Sequence, residues 1–257
     1  MDGFESEPLA GCAGCGSELR PAARFCIRCG APIAGVEPHA PIAAPPRNSW
    51  RELRTALQLW VLLLAACGGL GVAARITGSQ SPSFDAAGAI AVALIVLCFA
   101  AMMPRELGPA LSLRIGVRGL AGALGVWIAL LGFIHLYFAA LAPLGMDEVS
   151  YLEPFHLAGW PLWSAFFLVA VCPAVCEEMA FRGVIYQRLE RVGSPTEALV
   201  LQAAMFSVLH LLPAIFISHF VIGLALGWLR RRTRSIVPGI LAHGLYNASL
   251  LLIEMWG

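Results

Sequence analysis

Residues 172–182 read Cys172-Pro173-Ala174-Val175-Cys176-Glu177-Glu178-Met179-Ala180-Phe181-Arg182. Two adjacent carboxylates and an arginine stand here inside an apolar run covering 158–189, which is long enough to cross a bilayer. A charged group in hydrocarbon costs roughly 2.5–3.5 kcal/mol on insertion scales. Neighbouring glutamates at that depth must share protons or recruit a cation. Arg182 follows Glu178 by four residues, so the two can pair on one helical face, whereas such a pair alone is as well explained as a structural one. The residue types point to chemistry within the membrane.

The same arrangement returns twice downstream, in Phe206-Ser207-Val208-Leu209-His210 and in His243-Gly244-Leu245-Tyr246-Asn247. One helical turn separates His210 from Phe206 and Asn247 from His243, so each pair shares a face, and His243 and Asn247 can point into one cavity. Counting about 1.5 Å per residue from the expected cytoplasmic helix ends puts Glu177, His210 and His243 roughly 18, 21 and 12 Å deep. Their side chains can therefore converge. Glu, two His and Asn are a sufficient kit for hydrolysing a peptide bond. His135, His156 and His219 have no motif around them and read as structural or interfacial groups.

Composition supports the membrane setting. Of 257 residues, 59% are hydrophobic and 13% charged, and the mean hydropathy is +0.77. Soluble domains carry about 25% charge. The fold class expected is an all-α polytopic membrane protein, with about seven helices in a bundle behind a small zinc ribbon. The apolar segments run approximately 55–74, 86–103, 119–141, 158–189, 196–212, 214–229 and 236–255, with a tight turn needed at Leu212-Pro213. Asn48 to Thr55 reads as the start of the first helix, with Ser49 and Glu52 in capping-box spacing.

Arginines alternate between the loops. Arg47, Arg51 and Arg54 precede the first segment, Arg105, Arg114 and Arg118 follow the second, Arg188 and Arg191 the fourth, and Arg230, Arg231, Arg232 and Arg234 the sixth. The third-to-fourth loop instead holds Asp147, Glu148 and Glu153. That pattern predicts a multi-pass protein of the cell membrane with its N-terminus in the cytoplasm and its C-terminus outside. The acidic start, Met1 to Pro8, has no apolar h-region, so no cleavable signal peptide is expected. A net charge of +1 without a basic patch gives no reason to expect nucleic acid.

The first 31 residues form a cysteine module. Cys12-Ala13-Gly14-Cys15 and Cys26-Ile27-Arg28-Cys29 are two CxxC knuckles, each followed by glycine. Four thiolates at this spacing suit a closed, structural zinc site, whose metal would supply the folding energy of so small a segment. A cytoplasmic location argues against disulfides. Residues 32–47, with Pro32, Pro38, Pro41, Pro45 and Pro46, read as an extended linker. Residues 48–157 are then expected to supply N-terminal transmembrane helices and 158–257 the transmembrane core that carries the three polar motifs. Cys67, Cys98, Cys172 and Cys176 read as buried apolar residues.

Taken in order, the three polar motifs resemble the EExxxR, FxxxH and HxxxN signatures of the CPBP family, which includes CAAX prenyl proteases and bacteriocin-processing (Abi) enzymes. The resemblance covers roughly 158–255 and includes Pro173, Phe181-Arg182-Gly183, Gly223 and Gly227. It implies an intramembrane endopeptidase acting on a membrane-associated protein or peptide. Glu177 would be the base that activates water, His210 would help position that water, and His243 and Asn247 would donate to the oxyanion. Glu178 and Arg182 would orient Glu177. Two His and a Glu could also hold zinc with water in the fourth place, but HExxH is absent and Asn247 suits an oxyanion hole better, so no catalytic metal is expected. The zinc ribbon could bind a cytoplasmic partner or regulate access. Two other classes fit the same residues: a non-proteolytic scaffold or immunity protein, and an ion-coupled transporter using Glu177 and Glu178.

Overall fold

The computed structural model describes residues 11–19, 26, 28–29, 49–78, 81–112, 115–145, 150–212 and 215–256. The chain divides into two compact units, Met1–Pro45 and Pro46–Gly257. The acidic N-terminus, the proline-rich stretch 32–47, Asp147, Glu148 and Pro213 lie outside the described residues.

In the larger unit the described residues form α1 (Ser49–Thr77), α2 (Pro82–Met102), the short α3 (Pro104–Ala110), α4 (Val117–Leu141) and the single-turn α5 (Glu153–Leu157). These are followed by α6 (Leu162–Glu190), α7 (Pro195–Leu209), α8 (Phe216–Thr233) and α9 (Val237–Trp256). Each of the seven apolar segments contains one of the longer helices. Four stretches, Ser49–Thr77, Pro82–Met102, Val117–Leu144 and Leu162–Glu190, are long and apolar enough to cross a membrane. The remaining three are weaker candidates than their sequence suggests. Helix α7 has 15 residues, about 22 Å of rise; α8 ends in Arg230, Arg231 and Arg232; and His243, Asn247 and Glu254 dilute the apolar run of α9. The protein is a multi-pass membrane protein. Its outer faces agree, since Ile90, Leu94 and Leu97 of α2 and Ile128 and Leu136 of α4 are exposed, as lipid-facing side chains are.

Helix α6 packs against α1, α2, α7 and α9. It is not a uniform α-helix. Phe166–Val171 and Glu178–Ile185 are π-helical, on either side of an α-helical Cys172–Glu177. Pro173 gives a local reason for the first widening, because it has no N–H for the carbonyl of Val169, four residues back. Single π turns of this kind recur at functional sites. The second stretch carries Glu178, Phe181 and Arg182, all fully buried.

Helices α7 and α8 approach closely through glycine. A Cβ on Gly223 would lie 2.9 Å from the Cα of Ala203, and one on Gly227 would lie 2.6 Å from Leu199 Cδ1. Small residues four apart allow this backbone contact where lipid supplies no hydrophobic drive for helix association. Ser207 Oγ adds a bond to the carbonyl of Phe216. At the opposite end of α9, Glu254 ties down the chain before α5, accepting from the Ser150 hydroxyl, from Tyr151 N–H at 2.9 Å and from Leu152 N–H at 3.1 Å.

Two local expectations change. Ser49 already lies in α1, and the Glu52 carboxylate binds Arg188 and, at 3.3 Å, Arg191. A capping box is found at Ser194 and Glu197, at the start of α7. Among the cysteines, Cys176 is buried, Cys67 and Cys172 are partly so, and Cys98 is exposed on the outer face of α2.

Candidate active site

The paired glutamates diverge at once. Glu178 is fully buried and its Oε1 receives two bonds, from Arg182 Nη1 at 2.8 Å and from His243 Nδ1 at 3.2 Å. Among the described residues its Oε2 has no hydrogen-bond partner, and it faces the bare Cα of Gly239 on α9. Glu177, the next residue, points elsewhere. Its side chain keeps 19% of its exposure, and its Oε2 lies 3.9 Å from His243 Nε2. His243 therefore stands between the two carboxylates, with one ring nitrogen toward each. Because a carboxylate accepts, the short contact assigns the Nδ1 hydrogen to Glu178.

Arg182 joins α6, α7 and α8 around this centre. Besides Glu178 it donates through Nη2 to the carbonyl of Gly223 at 3.2 Å, which also accepts from Gln202 Nε2 at 2.9 Å. Its own carbonyl accepts from Arg230 Nε at 3.3 Å. The guanidinium lies 4.6 Å from the centre of the Phe206 ring, a contact that strengthens when water is excluded.

Phe206 is the platform for the imidazoles. His210 meets it edge-on at 5.0 Å and His243 at 6.2 Å between ring centroids. His210 Nδ1 donates to the carbonyl of Phe206 at 3.0 Å. His210 thus reaches the cluster through an aromatic ring, and no hydrogen bond or ion pair joins it to Glu177 among the described residues.

Asn247 has a different connection from the one its spacing suggests. Its Nδ2 donates to the carbonyl of Val169 at 3.0 Å. That carbonyl is the one Pro173 cannot serve, so Asn247 also repairs the α6 backbone. One amide hydrogen remains for other use. His219, which no motif singles out, is brought to the site: its ring centroid lies 3.9 Å from that of His210. It comes from the first turn of α8, and no sequence spacing relates it to His210. His135 remains peripheral, bonded to the carbonyl of Leu131 on its own helix.

The N-terminal unit holds a second candidate site. One ligand atom from each of Cys12, Cys15, Cys26 and Cys29 lies within 4.8 Å of the others. The Sγ pairs Cys12–Cys29 and Cys15–Cys26 are both 3.6 Å apart. Four sulfurs at about 2.3 Å from a tetrahedral zinc would be about 3.8 Å apart, so the donor set fits a metal of that size. The first knuckle is shaped by Gly14 N–H donating to Cys12 Sγ at 3.4 Å and by Gly16 at φ +70°. The Ser17 hydroxyl, followed by the Cys29 and Arg28 backbone, lowers the Cys26 thiol to about 6, and the same hydroxyl lowers Cys15. Such groups readily become thiolate ligands. The four cysteines can bind a metal ion.

Residues 159–249 match the family described as type II CAAX prenyl endopeptidase Rce1-like. No curated protein and no solved structure matches the chain. The matched stretch begins just before α6 and contains Glu177, Glu178, Arg182, His210, His243 and Asn247. Residues 159–249 are thus similar to the type II CAAX prenyl endopeptidases, and that stretch contains α6, one of the four helices long and apolar enough to cross a membrane.

Proposed function

We propose that this protein hydrolyses a peptide bond of a membrane-associated protein or peptide with a water molecule activated by Glu177. The observation that carries this reading is the unequal environment of the two glutamates. Glu178 is spent on Arg182 and His243, whereas Glu177 is partly open, with His243 Nε2 3.9 Å from its Oε2. A carboxylate held by two donors is a poor base, and one without such bonds is a better one.

In the proposed step Glu177 takes a proton from water as the water oxygen bonds to the scissile carbonyl carbon. Glu177 passes that proton to His243 Nε2, the nearest ring nitrogen, and the oxyanion receives hydrogen bonds from the free amide hydrogen of Asn247 and from the new Nε2–H. His243 then gives the proton to the departing amine as the C–N bond breaks. His210 helps to hold the water. Fixed donors in a site of low dielectric constant are worth several kcal/mol to such an intermediate. Glu178 and Arg182 set the His243 ring and leave its Nε2 toward Glu177.

The same reading places the protein in the cell membrane with its N-terminus in the cytoplasm, divides it at about residues 31, 47 and 157, and gives the Cys12, Cys15, Cys26 and Cys29 site to zinc. The ribbon would recruit a cytoplasmic protein partner or the substrate. The test is quantitative membrane proteomics on cells carrying Glu177→Gln in place of the wild-type chain. One or more membrane proteins should accumulate uncleaved, and purified wild-type enzyme should cleave them in liposomes. Undiminished cleavage by the purified Glu177→Gln enzyme would remove Glu177 from the role.

A further inference from the structure

His210 is the C-cap residue of α7 (φ −76°, ψ −9°), and the next residue, Leu211, is left-handed at φ 56°. No further helical turn follows to buttress the imidazole. Three contacts orient it: the Nδ1 bond to the Phe206 carbonyl, the edge-on Phe206 ring, and the ring of His219 at 3.9 Å with a 45° tilt. His219 is itself well fixed. Its Nδ1 is 3.0 Å from the carbonyl of Ile215 and 3.3 Å from Ser218 Oγ, and its ring stacks on Phe206 at 6.2 Å and 28°. Ser218 is fully buried and bonds the same carbonyl at 2.9 Å.

Since a carbonyl only accepts, the bonds to Phe206 and Ile215 place the hydrogen on Nδ1 in both rings. Nε2 is then the open acceptor of His210, and the tautomer is set by what the other nitrogen touches. A ring at a helix end can flip about χ2 and exchange that acceptor for a C–H edge. The tilted His219 ring, 3.9 Å away between centroids, blocks the flip on one face while Phe206 meets the ring edge-on.

We infer that His219 is a positioning residue for His210, holding the ring plane and tautomer in which Nε2 faces the reacting water. The inference rests on the proposed role of His210 beside Glu177. It makes α8 part of the catalytic apparatus although α8 carries no motif histidine. The close-packed ring supplies the constraint, so an aromatic without nitrogen serves nearly as well.

The test uses the full chain in liposomes, with ¹⁵N-labelled histidine and magic-angle-spinning NMR. The wild-type His210 signals should report a neutral ring protonated at Nδ1. In His219→Ala that signal should split or broaden between the two tautomers, and His219→Phe should restore it. On the membrane protein that accumulates in Glu177→Gln cells, His219→Ala should lower kcat about ten- to a hundredfold with KM little changed, the size expected of a misplaced catalytic group. His219→Phe should recover most of it. An unchanged His210 spectrum in His219→Ala would overturn the inference. So would a lower melting temperature with full kcat per folded molecule, which marks a purely structural residue. If Glu177→Gln and His210→Ala both keep full activity, the catalytic reading fails instead, and the NMR result still decides whether His219 orients His210.

Discussion

Gly239 and Glu178 occupy one space: a Cβ on Gly239 would fall 2.7 Å from Glu178 Oε2. The carboxylate is buried, its Oε2 has no hydrogen-bond partner, and its other oxygen is shared by Arg182 and His243. Gly239→Ala should therefore push Glu178 off those partners. We expect a loss of about 1–3 kcal/mol, the usual cost of overpacking, read as a lower melting temperature, together with at least tenfold slower cleavage.

The two glutamates should separate stability from activity. Glu177 has one long contact and remains partly exposed, so Glu177→Gln should melt like the wild type and lose cleavage. Glu178→Gln removes one charge of a fully buried pair. Breaking such a pair from one side costs about 3–5 kcal/mol, so its melting temperature should fall clearly. Equal melting of the two variants would contradict the assignment.

Arg182 binds Glu178 and the Gly223 carbonyl through different nitrogens. Lysine carries one point charge and no fork. Arg182→Lys should thus behave as a destabilising change. The double variant Glu178→Gln, Arg182→Met should regain part of that stability, because an apolar replacement leaves no unpaired charge, while cleavage stays low. A double-mutant cycle by thermal unfolding measures the coupling.

Pro173 and Asn247 are linked through the Val169 carbonyl. Pro173→Ala restores an N–H to α6 and competes with the Asn247 amide for that acceptor. Asn247→Ala should cost stability in the Pro173 background and less in the Pro173→Ala background. Its effect on kcat should persist in both, since the remaining amide hydrogen is the one assigned to the oxyanion.

The cysteine unit should release its metal to a strong chelator. One metal ion per chain is expected by elemental analysis of purified protein, with loss in Cys12→Ser or Cys26→Ser. Both residues are buried in the N-terminal unit, so these variants should lose its metal-dependent fold, measured by proteolysis of residues 11–29. Metal content unchanged in Cys26→Ser would refute the four-thiolate site.

Much of this protein is legible in its sequence because the bilayer makes hydropathy a strong signal. The apolar segments around residues 55–74, 86–103, 119–141 and 158–189 all become long helices, since in hydrocarbon each backbone group must be satisfied within its own segment. The CxxC pairs and the order Glu177, His210, His243 are likewise local patterns. What spacing could not decide was the division of labour between Glu177 and Glu178. Adjacent residues point in different directions from a helix, and which one meets His243 and Gly239 depends on where α9 lies. The bond from Asn247 to Val169 and the packing of His219 against His210 are of the same kind. They arise from a proline that strands a carbonyl and from glycines that let two helices touch, and only packing in three dimensions brings those partners together.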